Sequence, residues 1–159
     1  MMTYTNTMKE PNKIILLCSL SLFLFDFVHA QIIQPVKWSF AAKKVSTEEA
    51  VVFIKADILP GWHVYSQHID AGGPVATAIT FAPSKAYQPI GAPAEPEPIR
   101  KYEDVFGMDV GYFEGSVVFQ QRIRLKVGQP TVKGMVEFMV CNDQQCLPHD
   151  EIAFTLTIN

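Results

Sequence analysis

The chain has 159 residues, 48% of them hydrophobic, and a formal net charge of −3. That length suits one domain preceded by a leader. The acidic balance argues against nucleic acid as a partner, because phosphate binding needs a basic face.

Residues 1–30 read as a secretory signal peptide. Lys9 and Lys13 supply a positive n-region, Ile14 to Phe25 an apolar h-region, and Val28-His29-Ala30 a small-residue cleavage site. The apolar run is too short for a membrane span, which needs about 20 residues. Leu17 is bulky where a lipoprotein cysteine would follow a small residue, so Cys18 is assigned to the removed segment. The expected mature chain, 31–159, keeps the charge of −3, because Lys9, Lys13, Glu10 and Asp26 cancel. No later apolar run approaches the length of a span, so no stable membrane insertion is expected. Export implies an oxidising compartment in which disulfides persist.

From residue 36 onward the dominant period is two. Val36, Trp38 and Phe40 alternate with polar or small residues. After a turn at Ser46-Thr47-Glu48, Val52, Ile54, Ala56 and Ile58 form one face of a second strand. Leu59-Pro60-Gly61 and Ala71-Gly72-Gly73-Pro74 are turns. Residues 83–98 carry five prolines and read as an extended linker or edge segment. The stretch Arg100 to Gly107 reads as a charged loop carrying one large apolar residue, Phe106. Phe119, Gln121, Ile123, Leu125 and Val127 alternate again, and Gly128-Gln129-Pro130 turns the chain. Val132, Gly134, Val136, Phe138 and Val140 form the next strand, and Ile152, Phe154, Leu156 and Ile158 the last. Strict alternation marks strands with one buried and one wet face. No long 3.6-residue pattern intervenes. The expected fold is all-β, an immunoglobulin-like antiparallel β-sandwich over residues 31–159.

Cys141 and Cys146 are the thiols expected in the mature chain. They flank a connection between two strands, with Asn142, Asp143, Gln144 and Gln145 at its tip. Residues facing each other across such a tip reach disulfide geometry. As a staple the bridge would contribute little. Closing a loop of about six residues is worth ~2 kcal/mol, against ~3 for fifteen. The spacing is not C-x-x-C and no βαβ pattern surrounds it, so a thioredoxin fold is not expected. With His149 the pair offers three metal ligands at most, a soft set suited to copper. Three readings stay open on the residues alone: a redox centre, a structural staple in a non-enzymatic binding module, and a metal site.

Three motifs, in order, carry a resemblance. They are Gly61-Trp62-His63-Val64-Tyr65-Ser66-Gln67-His68-Ile69, then Glu103-Asp104-Val105-Phe106-Gly107, then Val140-Cys141 to Cys146-Leu147-Pro148. Over residues 34–158 the chain resembles the N-terminal (alpha) domain of the thiol:disulfide interchange protein DsbD. The resemblance implies an immunoglobulin-like fold whose cysteine pair carries electrons in the periplasm, with no other cofactor. It implies thioredoxin-like periplasmic partners, including those of cytochrome c maturation, and a membrane electron donor. Because the sequence given stops at Asn159, that donor is expected to act in trans. By similarity, Cys146 attacks and Cys141 resolves, Phe106 is an aromatic cap and Asp104 an acidic neighbour of the sulfurs. His63 and Tyr65 line the site, and Pro148 closes the cysteine motif. The family often has an aromatic where this chain has His63, and commonly five residues between the cysteines where this chain has four.

Overall fold

The computed structural model describes residues 33–126 and 129–159. The signal-peptide reading of 1–30, Cys18, and the Val127-Gly128 end of one expected strand and turn lie outside the described residues. Residues Gln34–Asn159 form one compact unit.

Every regular element among the described residues is a strand. In chain order they are β1 (Val36–Lys44), β2 (Glu49–Ile58), β3 (His63–Tyr65), β4 (Ala78–Phe81), β5 (Tyr87–Pro89), β6 (Ile99–Glu103), β7 (Met108–Glu114), β8 (Ser116–Leu125), β9 (Thr131–Phe138), β10 (Val140–Cys141) and β11 (Asp150–Thr157). They pair antiparallel in three sheets, ordered β1-β2-β8-β5, β10-β3-β7-β6 and β11-β9-β4. The inner faces of all three meet in one core. Trp38 of the first sheet packs on Phe138 of the third, ring centroids 5.1 Å apart, and Phe40 stacks on Phe154 at 4.7 Å. Phe113 of the second sheet meets Phe119 of the first edge-on at 5.7 Å. The first sheet is therefore one layer of the sandwich, and the other two line the opposite side. The architecture is the expected immunoglobulin-like antiparallel β-sandwich.

The alternation read from sequence is the physical cause of this packing. In β2, Val52, Ile54 and Ala56 are fully buried, and in β8 Phe119, Ile123 and Leu125 join them. Each such large apolar side chain contributes about 1.5–3 kcal/mol by leaving water. Gln121 belongs to the same inward row. Its buried amide donates to the carbonyls of Arg122 (2.7 Å) and Ile90 (3.0 Å), which offsets its desolvation.

Two crossings deliver the chain to the second sheet. Between β9 and β10 a single residue, Met139, takes the strand out of the third sheet and into the second. Between β7 and β8, Gly115 at φ 66° passes the chain from the second sheet to the first. The proline-rich segment is also structural. Ile90 and Ala94 hydrogen-bond to Arg122 and Gln120 of β8, so it runs along the sheet edge where proline is tolerated. Glu95 then accepts hydrogen bonds from the Ser66 hydroxyl and, at 2.8 Å, the Gln67 amide. That hook hands the chain to β6. Arg100 to Glu103, expected as the start of a loop, instead belong to β6, because Ile99 to Glu103 pair with β7 from Tyr112 to Met108.

Candidate functional site

The site begins with the turn Leu59-Pro60-Gly61, closed by the Trp62 amide on the Leu59 carbonyl at 3.1 Å, with Gly61 at φ 79°. The strand that follows alternates. Trp62 and Val64 enter the main core, so His63 and Tyr65 project from the opposite, outer face of the second sheet. On β7 the same division sends Phe113 inward, and Met108, Val110 and Tyr112 outward. On β10 it sends Val140 inward and Cys141 outward. Tyr65, Val110 and Cys141 are buried together there, with Ile69, Met108, Tyr112 and Met139 packed around them. This outer cluster is separate from the core of the sandwich.

Strand register aligns these side chains in rows. Cys141 faces His63, and His63 faces Glu114; in the next row Tyr65 faces Tyr112, which faces Ile99. The His63 ring lies 4.9 Å from Tyr112 and 5.2 Å from Tyr65, with Nε2 3.3 Å from the Tyr65 hydroxyl.

Cys141 and Cys146 form a disulfide. Leu147 N–H donates to the Val140 carbonyl and Asn142 N–H to the Gln145 carbonyl, both at 2.9 Å. Those bonds bracket the cysteines as a narrow, non-hydrogen-bonded antiparallel pair, in which opposed side chains come closest. The Cα atoms are 4.0 Å apart. The tip is held by the Asn142 side-chain oxygen, which accepts from the amides of Gln144 (2.9 Å) and Gln145 (2.8 Å). The two cysteines differ in access: Cys141 is 1% exposed and Cys146 is exposed.

Electrostatics at the site follow from burial and a few charges. Burial lowers the pKa of His63 below its ordinary 6.5; Glu103, Glu114 and Asp143 act against that, and Lys101 with it. Burial, with the negative charge of Glu103, pushes Tyr65 up to about 12. Tyr112 is raised by burial and then by Glu114. Lys101 Nζ stands 3.7 Å from Glu103 and 3.9 Å from Asp143, so β6 and the cysteine loop are neighbours.

The structure brings Cys141, Cys146, His63 and Tyr65 into one place. Phe106 is half-buried in the turn between β6 and β7, where its amide and that of Gly107 donate to the Glu103 carbonyl at 3.1 and 2.8 Å. Asp104 is exposed in that turn, and Pro148 is exposed beyond the cysteines. The carboxylate whose charge reaches His63 and Tyr65 is Glu103, which sequence reasoning passed over. Lys101, Tyr112 and Glu114 were passed over too. No clean period in Ile99–Glu103 or Met108–Glu114 marked them, because their burial does not alternate. His149 is exposed, and among the described residues no three His, Cys, Asp or Glu side chains gather to hold a metal ion.

The comparisons with known proteins bear on this arrangement. Residues 29–158 match the family model for the N-terminal part of thiol:disulfide interchange protein DsbD. The chain belongs to the DsbD N-terminal domain family. No curated protein matches the sequence. Among solved structures, the N-terminal periplasmic domain of ScsB from Proteus mirabilis is similar at 21% identity and a TM-score of 0.57. That match covers 78% of this chain and 47% of the ScsB domain, so the chain spans about half of that relative's length. A complex between the DsbD N-terminal and PilB N-terminal domains from Neisseria meningitidis is similar at 15% identity and a TM-score of 0.53. It covers 79% of this chain and 87% of the matched one. At these identities the structures bear on the fold. Like the DsbD N-terminal domains, this chain is an immunoglobulin-like sandwich carrying a cysteine pair.

Proposed function

We propose that the chain is a periplasmic thiol–disulfide interchange domain that passes reducing equivalents through Cys141 and Cys146 to thioredoxin-like partners. The observation that carries this reading is the position of the bridge. It lies on the outer face of its sheet, with Cys146 exposed and Cys141 buried, outside the main core. A bridge serving stability alone would gain more by joining distant segments. Family membership supports the same reading, as does the solved complex of a DsbD N-terminal domain with a PilB N-terminal domain.

In the proposed reaction the Cys146 thiolate attacks a partner's disulfide, and one partner sulfur leaves. Cys141 then attacks the Cys146 sulfur of the mixed disulfide and releases the partner as a dithiol. Two electrons pass to the partner and the Cys141–Cys146 bridge reforms. A membrane electron donor reduces it again. The exported location follows from the leader read at residues 1–30. Phe106 is the cap over the sulfurs, Asp104 an acidic neighbour, His63 and Tyr65 the walls, and Pro148 the fixed exit of the cysteine loop.

The deciding measurement is the reduction potential of the pair in thiol redox buffers. A value between roughly −200 and −270 mV, among the thioredoxin-like exchangers, is expected. A value well below about −300 mV marks a structural bond and returns the chain to a binding module.

A further inference from the structure

We propose that His63 is the proton acceptor for the buried thiol of Cys141, so that resolution of the mixed disulfide runs through this imidazole. The proposal rests on the redox reading above and extends it from the electrons to the proton.

The difficulty it answers is physical. Cys141 is 1% exposed and packed among Tyr65, Val110 and Met139, so water does not reach its sulfur freely. Only the thiolate is a competent nucleophile, and an apolar surrounding raises a thiol's pKa. The resolving cysteine therefore needs a base inside the protein. Directly across the strand pair stands His63, itself 7% exposed. Opposed residues on one face of an antiparallel pair have Cβ atoms about 4.5–5.5 Å apart, within reach of sulfur and imidazole. When Nε2–H donates to the Tyr65 oxygen, Nδ1 keeps its lone pair for the proton.

The charged and titratable groups facing His63 come from every neighbouring element. They are Tyr65 on its own strand, Tyr112 and Glu114 on β7, Lys101 and Glu103 on β6, and Asp143 in the cysteine loop. Burial keeps the imidazole neutral before the step, as a base must be. Three carboxylates against one ammonium then stabilise the imidazolium once the proton arrives. The step balances. Cys141 S–H gives its proton to His63, and its sulfur forms a bond to the Cys146 sulfur. The bond from Cys146 to the partner breaks, and the partner sulfur leaves with the electron pair. The proton passes from His63 to that leaving thiolate. In the reverse direction the imidazolium protonates Cys141 as it leaves.

Oxidised glutathione tests this with fully reduced protein carrying Cys18→Ser, so that only the pair reacts. Acid quenching and mass measurement follow two steps: glutathionylation of Cys146, then loss of glutathione as Cys141 resolves. The wild-type resolving rate should be nearly flat between pH values of about 6.5 and 8. In His63→Phe the second step should slow far more than the first. The glutathionylated form should accumulate, with resolution slowed roughly a hundredfold. Its rate should climb about tenfold per pH unit, tracking the thiolate fraction. His63→Gln, which keeps a hydrogen bond to Tyr65 but offers no base, should behave like the phenylalanine variant. If glutamine restores the rate, or both variants resolve with the wild-type pH dependence, the proton role is overturned while the relay stands. If the wild-type protein forms no mixed disulfide, the relay reading falls and this proposal with it.

Discussion

The two faces of the β10-β3-β7-β6 sheet are built by the same strands and serve different ends. Its inner face gives Trp62, Val64, Phe113 and Val140 to the core of the sandwich. Its outer face gives Cys141, Tyr65, Val110 and Tyr112 to a small cluster of its own, with His63 set between two of its tyrosines. On the inner face a side chain is chosen for volume. On the outer face, tyrosines and a histidine line a disulfide whose second cysteine, Cys146, is exposed. A sandwich layer can thus present reactive groups without opening its core, because period-two alternation separates the two roles residue by residue.

The sharpest way to break this comparison is to damage each side. Phe119→Ala, deep in the core, should lower unfolding stability by about 3–5 kcal/mol. Cys146→Ser should remove all exchange with a disulfide substrate yet lower stability by only about 2 kcal/mol, the closure entropy of its short loop. Urea unfolding beside an exchange assay reads both. A serine variant as unstable as the alanine one would make the bridge part of the scaffold. Gly134→Ala is the next largest. A Cβ there would collide with the Phe154 ring and, at 2.5 Å, with the Thr80 carbonyl, so one methyl should destabilise by about 1–3 kcal/mol while leaving exchange intact.

The inner face was legible in the sequence and the outer face was not, for one reason. β1, β2, β8, β9 and β11 have one wet side, so apolar residues alternate with polar ones and the strands can be read directly. β3 and β7 are covered on both sides, by the core and by the outer cluster. The run His63-Val64-Tyr65 is buried throughout, and Met108 to Glu114 shows no clean period. β6 failed differently. Its residues Ile99 to Tyr102 are exposed, and only pairing with β7 makes them a strand. The cysteines stood out by type and spacing. That Cys141, His63 and Glu114 share a row depends on register between strands far apart in sequence, which composition does not carry.

The outer face should also respond to pH where the inner face cannot. Burial depresses the His63 pKa, so the unfolded chain takes up a proton near 6.5 before the folded one does. The stability His63 confers is complete above that pH and is lost as pH falls through its lower, folded value. Melting temperature should drop by a few degrees on going from neutral to acidic pH, and His63→Phe should flatten that part of the curve. Tyr65 gives the opposite limb. Raised to about 12, it confers stability that is complete below pH 10 and lost as pH rises toward 12. Tyr65→Phe should remove that loss, and an unchanged alkaline limb would place the titration elsewhere.

The smallest expected effect separates two adjacent carboxylates. The resemblance points to Asp104 as the acid beside the sulfurs, whereas the geometry puts the charge of Glu103 on His63 and Tyr65. Asp104 is exposed in the turn; the Glu103 side chain is 20% exposed and lies 3.7 Å from Lys101. In the oxidised protein the thiols do not titrate, so the His63 imidazole can be followed by NMR without interference. Glu103→Gln removes the largest charge favouring the imidazolium and should lower the His63 pKa further. Lys101→Met removes the opposing cation and should raise it. Asp104→Asn should leave the titration where it was. Stability should change by less than about 1 kcal/mol in all three, since these are exposed or half-exposed charges. If Asp104→Asn moves the histidine and Glu103→Gln does not, the turn between β6 and β7 folds over the site with Asp104 inward. The acidic partner suggested by resemblance would then replace the one the strand register assigns.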